Sequence, residues 1–471
     1  MLIRDAELRG RHGLHDVRIG NAMIAEIGAL VPLAGEDVLD AAGCALLPGL
    51  HDHHIHLAAL AAKHMSVSCG PPDVADAAGL AECLSRPGDG WLRGIGYHEC
   101  VAGMLDSATL DRMAPDRPVR IQHRSGRMWF FNSAGLDAIL ALAEPPPGLE
   151  RETGRLFDED AWLRQALGSV PPSFAGISAE LAALGVTGVT DMSPSNDPAM
   201  ARHFAAQQAT GALAQKCRLA GTLSLGQAPS TDRLAIGPAK LHLHEAQLPD
   251  YDAAVAFIAA AHRQDRALAV HCTTETELVF ALAAIEEAGI LRGDRIEHAS
   301  VAPDHLIAEI ARLGLWVVSQ PHFIVERGDQ YRRDINAETL PQLYRLAAFR
   351  DAGVILAGGS DAPFGDVDPW AAMAAALSRR TRDGVRLGAR EALSAEEALD
   401  LYLADPADLS RQRRIAPGAP ADLCLLGRPW AEARERLTSE LVRCTIIDGR
   451  IVHNRIDQAP VERGRGIDPP A

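Results

Sequence analysis

The feature that most constrains this chain is a recurrence: a side chain able to bind a metal ion stands at or near the downstream end of one short apolar run after another. HDHHIHL (His51 to Leu57) follows LLPGL, Lys240 sits in IGPAKLHL, His271 follows ALAV, His298 follows RIE and Asp361 follows ILAGGS. The runs GVTGVTDM (Gly185 to Met192), AKLHLHE, ALAVHCT, RIEHAS, LWVVSQP and VILAGGSDAP read as buried strands. Helical stretches such as DYDAAVAFIAAAHRQ and ETELVFALAAIEEAG separate several of them. Strands alternating with helices over this length indicate parallel βα units, and their number suits a barrel better than an open sheet. The expected fold is α/β, a (β/α)8 TIM-type barrel, in which reactive groups belong at the carboxyl ends of the strands. No GxGxxG or P-loop string points to a dinucleotide or nucleotide sheet.

The two ends of the chain read differently. LIRDAEL, HDVRIG, AMIAEIG and EDVLDA near the start, and ADLCLLG, RCTIIDG and RIVHN near the finish, are β-like runs broken by Gly-containing turns. Two all-β pieces at opposite ends are expected to pair into one small β-sandwich, 1–46 with 412–456, because termini often lie close together. The barrel then occupies 47–411, with a less regular insertion at about 87–172, and the Pro- and Gly-containing tail 457–471 is expected to be loose.

Composition limits the partners. Over 471 residues, 46 Lys and Arg against 62 Asp and Glu leave a formal charge of −16, the wrong sign for neutralising nucleic-acid phosphates or docking on an anionic membrane. Eight cysteines without a CxxC pair read as reduced thiols rather than a disulfide scaffold. With no signal-peptide pattern at MLIRDAELRGRHG and no apolar run of membrane-spanning length, the expectation is a cytoplasmic protein acting on a small molecule.

Residues two apart on a strand point the same way, so His54 and His56 can face one cation. His271, His298 and Asp361 would complete a nitrogen and oxygen site suited to Zn²⁺ or a similar ion. His51 and His53 have the opposite parity and read as turn residues or supports for the ligands, while His64, His203 and His453 read as ordinary core or surface residues.

PGLHDHHIHL resembles the strand-one signature of the amidohydrolase superfamily. WLRGIGY, APDRPVRIQHRSGRMWFFNSAGL, RIEHA and GSDAPF are similar to its family 3 branch, which includes N-substituted formamide deformylase-like proteins. IAPGAPADLCLL and TIIDGRIV are similar to the closing strands of that superfamily's small β-sandwich. The resemblance implies a metal set of His54, His56, Lys240, His271, His298 and Asp361, holding one or two divalent ions such as Zn²⁺, with Lys240 carbamylated and bridging in binuclear members. Against this stands a plain lysine at the barrel rim, with His242 or His244 as a substitute ligand. The implied activity is hydrolysis of a C–N bond in an amide-like small molecule (N-acyl, formamide or cyclic amide) by metal-bound hydroxide. Asp361 would shuttle the proton, with His271 and His298 as further catalytic residues. Esters and lactones would react by the same route.

Tyr97, His123, Arg124, Arg127, Tyr331 and Trp370 lie in segments that the resemblance places around the substrate, whereas Trp129 reads as core. Arg127 departs from the Gly-His usual after the position of Gly126, and an arginine facing the substrate would favour an anionic group. A homodimer is the assembly implied by analogy. Two rival readings remain. A heterocycle deaminase would carry a glutamate three residues after His271, where this chain has Thr274, with Glu275 one position further on. A metal-free binding protein would have lost the ligand set that this chain retains.

Overall fold

The computed structural model describes residues 1–455 apart from Pro72, Arg86, Asp89 and 169–171, so the 457–471 tail lies outside the described residues. Two compact units emerge: Met1–Leu57 with the chain from Ile177 onward, and Ala58–Gly176.

The first unit contains the barrel. Its strands are β1 (Leu50–Ile55), β2 (Val186–Asp191), β3 (Lys216–Gly221), β4 (Leu234–His242), β5 (Leu268–Cys272), β6 (Arg295–His298), β7 (Trp316–Ser319) and β8 (Leu356–Gly358). They pair in chain order, every pair parallel. The first and last strands meet through the chain just beyond them: Asp361 N donates to His54 O at 2.7 Å and His56 N to Ala362 O at 2.9 Å. Asp52 Oδ1 accepts the backbone N–H of both His54 and Ser360 at 3.0 Å. Gly359 has to be a glycine at this seam, since a Cβ there would stand 2.5 Å from the Cβ of His54. Closure of the barrel and placement of His54, His56 and Asp361 are therefore one set of hydrogen bonds.

Outside the strands, Leu268 and Val270 of β5, Ile296 of β6 and Val317 of β7 pack against α1 (Tyr251–His262), α2 (Glu275–Ala288) and α3 (Asp304–Leu313), notably Ile258, Leu278, Leu282, Ile285, Ile307 and Ile310. Because strand side chains alternate, burying Leu268 and Val270 outward turns Ala269 and His271 to the opposite face, where Ala269 meets Met192 and Ala220. A capping box starts α2: Thr274 Oγ1 accepts the N–H of Glu277, and the Glu277 carboxylate accepts that of Thr274.

Strands from both chain ends form one further sheet in this unit. Its order is Arg450–Asn454, Val442–Ile447, Leu423–Leu426, Ala45–Pro48, Leu2–Leu8, Leu14–Gly20 and Met23–Gly28, with Val38–Asp40 also on Leu2–Leu8. Ile3, Leu8, Val17, Ile19, Ile24, Leu423, Leu425 and Ile446 form its core. It is tied to β3 by Lys216 Nζ, 2.7 Å from Asp422 Oδ2 and 2.8 Å from Asp448 Oδ1.

Between β1 and β2 in the chain lies the second unit, wider than the expected insertion. Its six-stranded sheet runs Leu149–Glu150, Arg155–Phe157, Met128–Phe131, Val119–His123, Leu92–Tyr97, Val67–Ser68. No helix among the described residues of the chain is long and apolar enough to cross a membrane.

Candidate active site

At the carboxyl ends of the barrel strands the ligand-type side chains converge. His54 lies in β1 and His56 just past it, Lys240 in β4, His271 in β5, His298 ends β6, and Asp361 follows β8. His54, His298 and Asp361 each offer one ligand atom within 4.8 Å of the others. Asp361 Oδ1 is 3.3 Å from His54 Nε2 and 3.1 Å from His56 Nε2. The His298 ring lies 4.7 Å from that of His54 and 4.5 Å from that of His271, centre to centre. Lys240 is buried, and its Nζ has no hydrogen-bond partner among the described residues.

Backbone strain accompanies this convergence. His298 (φ 69°) and Asp361 (φ 54°) adopt the left-handed conformation that non-glycine residues avoid, a strain that surrounding structure must hold in place.

Outer partners set which imidazole nitrogen is available. His54 Nδ1 is 2.5 Å from Glu297 Oε2, and the other Glu297 oxygen is 2.5 Å from Arg295 Nε. Paired with a guanidinium, Glu297 is ionised and accepts from His54 Nδ1, which leaves His54 Nε2 facing Asp361. His298 Nδ1 donates to Gln320 Oε1 at 2.8 Å, and His56 Nδ1 lies 3.2 Å from Ser193 Oγ. Hydrogen bonds of this kind orient metal-ligating histidines and fix their tautomers.

The electrostatics agree. Burial lowers His298 to about 3, despite Asp361, and lowers His271 strongly, with His298 and Lys240 adding to it; both imidazoles are neutral near pH 7. Burial alone would also lower His54, but Glu297 and Asp361 reverse that and raise it. Burial likewise pushes Asp361 up, yet the hydrogen bonds from His54 and His56 hold it well below the carboxylate range. Burial lowers Lys240 to about 8, where a neutral amine is accessible. Neutral imidazoles at His271 and His298, an ionised Asp361 and the buried Lys240 amine suit a divalent cation site.

Several of the other expected contacts are engaged within the protein. Trp370 is buried and donates its Nε1–H to Leu184 O, and Tyr331 pairs its hydroxyl with that of Tyr344 at 3.3 Å. In the second unit, Tyr97 is buried with its hydroxyl on Gly103 O, which spends the group on packing. His123 Nε2 lies 3.0 Å from Glu99 Oε2, and Arg124 is exposed. Arg127, expected to meet an anionic substrate, is engaged through Nε and Nη2 by both oxygens of Asp158, at 2.7 and 2.6 Å. His51 and His53 lie inside β1, buried, and are not turn residues. Glu297 and Arg295 belong to the site although the sequence did not single them out.

The model of the amidohydrolase family matches residues 37–453. The chain belongs to the amidohydrolase family. It is similar to the Bacillus subtilis (strain 168) protein YtcJ, an amidohydrolase by name, at 26% identity over 429 residues, covering 78% of this chain and 81% of the relative. It is also similar to the N-substituted formamide deformylase of Arthrobacter pascens, at 32% identity over 168 residues, 34% of this chain and 31% of that one. Among solved structures, an uncharacterised metal-dependent hydrolase from Pyrococcus horikoshii OT3 superposes with a TM-score of 0.77 at 20% identity, covering 96% of this chain and 99% of that one. In this amidohydrolase, His54, His298 and Asp361 converge where the fold places its chemistry.

Proposed function

We propose that the protein hydrolyses a C–N bond of an amide-like small molecule, such as an N-acyl compound, a formamide or a cyclic amide, with Asp361 carrying the proton. The observation behind this reading is the position of Asp361 Oδ1 beside the Nε2 atoms of His54 and His56, with His298 in the same cluster. His54, His56, Lys240, His271, His298 and Asp361 would hold one or two divalent cations, zinc first among them. A cation bound there supplies Lewis acidity, making water more acidic and a carbonyl carbon more electrophilic.

The chain's own groups account for the remainder. Kept ionised by the His54 and His56 hydrogen bonds, Asp361 accepts a proton as water adds to the carbonyl carbon. It hands that proton to the leaving nitrogen as the C–N bond breaks, giving a carboxylic acid and an amine. Glu297 and Gln320 hold His54 and His298 in the ligating tautomer. A buried neutral Lys240 amine would add CO₂ to become a carbamate, an anionic group able to help hold a cation. The deaminase alternative finds less support, because Thr274 caps α2 and Glu275 is exposed. Asp361→Asn tests the reading: kcat on an amide panel should fall about 10²–10⁴-fold with the fold intact, and unchanged turnover would remove Asp361 from the mechanism.

A further inference from the structure

The sheet of the second unit carries a half-buried cation, Arg120, with no counter-charge among the described residues. Arg93 and Arg120 are directly opposed on neighbouring parallel strands, an arrangement in which like charges repel. The guanidinium of Arg120 lies 5.7 Å from the ring centre of Trp91 and 5.7 Å from that of Trp129, and that of Arg93 lies 5.6 Å from the same Trp129 ring. Arg93 is anchored, its Nη1 donating to Ala62 O and Ser66 Oγ at 3.0 Å each. Arg120 is not. Among the described residues, its buried Nε has no hydrogen-bond partner and no carboxylate pairs with it.

Indoles compensate such a cation only partly. Cation–π contact at 5.7 Å contributes about 0.5–2 kcal/mol, whereas a buried unmatched donor costs about 1–3 kcal/mol, and more when charged. Burial, and then the neighbouring Arg93, pull the Arg120 guanidinium down to about 10; the site disfavours the charge it holds. With Nε buried and the indole rings alongside, the Nη1 and Nη2 amino groups are the functional edge of the guanidinium. That edge matches the paired oxygens of a carboxylate or phosphate.

We propose that Arg120, with Arg93 beside it and Trp91 and Trp129 as walls, is a binding site for a small oxyanion bearing a carboxylate or phosphate group. The occupant supplies the missing negative charge, accepts from Arg120 and lowers the repulsion between the two arginines. The site is separate from the metal-ligand cluster in sequence and in chemistry, and it does not depend on the hydrolytic reading.

The test is a titration of the intact, metal-loaded protein with inorganic phosphate and, separately, malonate, at ionic strength held constant with sodium chloride. Tryptophan emission and melting temperature are followed in the wild type and in Arg120→Met. A saturable emission change and a rise in melting temperature of about 2 °C or more are expected in the wild type, with the apparent affinity at least about tenfold weaker in the variant. The more effective of the two anions identifies the preferred head group. Without added oxyanion, Arg120→Met should melt no lower than the wild type, because a repelled cation is removed. Absence of any saturable response in the wild type overturns the proposal. An equal response in both proteins, as binding at the metal cluster would give, also overturns it.

Discussion

At the scale of single residues, the candidate site is a set of ligand-type side chains whose orientation is enforced from outside. Glu297 bonds His54 Nδ1 on one side and Arg295 on the other, so Glu297→Gln should weaken metal binding about 10–100-fold. Competition against a chelator measures this, and unchanged affinity would deny Glu297 an orienting role. The sequence could not single it out. Glu297 touches a histidine 243 positions away, and within RIEHAS it reads as one more residue of a strand. His54 and His56, by contrast, were legible because their spacing alone puts them on one face. The aromatic residues show the limit of reading by segment: Tyr97 and Trp370 both turn into packed interiors, and a position along the chain does not say which way a ring points. Lys240 makes a second expectation. Its amine, lowered to about 8 by burial, should take up CO₂ readily, so bicarbonate should speed reactivation of metal-stripped protein by zinc. Reactivation at the same rate without bicarbonate would favour an uncarbamylated lysine.

At the scale of elements, seven of the eight barrel strands announced themselves as apolar runs, and β3 did not. Lys216 and Arg218 interrupt KCRLAG, and only tertiary structure explains the lysine: it is held by Asp422 and Asp448 of the terminal sheet. Burial pulls that ammonium down, but the two aspartates outweigh it and raise its pKa above 10.5. A raised lysine stabilises fully below its unfolded pKa of about 10.4 and stops doing so as pH climbs through the folded value. Lys216→Met should therefore lower stability by about 1–3 kcal/mol at pH 7. It should also remove the part of the alkaline loss that sets in above about pH 10.4, read from denaturant midpoints across pH. An alkaline limb unchanged in the variant would contradict the tie. The start of α2 separates two functional readings as well. Thr274→Ala should cost about 1 kcal/mol through the lost cap, while Glu275→Gln, at an exposed position, should leave turnover as it was. A large loss of kcat in Glu275→Gln would bring the deaminase reading back.

At the scale of the whole molecule, barrel closure and site assembly coincide. The hydrogen bonds that join the chain after β8 to β1 run through His54, His56, Asp361 and Asp52. That economy is why the order of strand-end residues in the sequence was informative about fold and chemistry together. The second unit was less legible: Val67–Ser68 and the helix Ala77–Leu84 resemble barrel elements, so its start at Ala58 is not marked by any change in pattern. The central claim is that the converged cluster binds a divalent metal, and elemental analysis tests it most directly. Protein purified without chelator or metal-affinity resin should carry about one to two equivalents of divalent metal per chain, zinc foremost. A double variant, His54→Asn with His298→Asn, should carry almost none. Metal near zero in the wild type, still near zero after zinc is supplied, or equal metal in the double variant, would contradict the account.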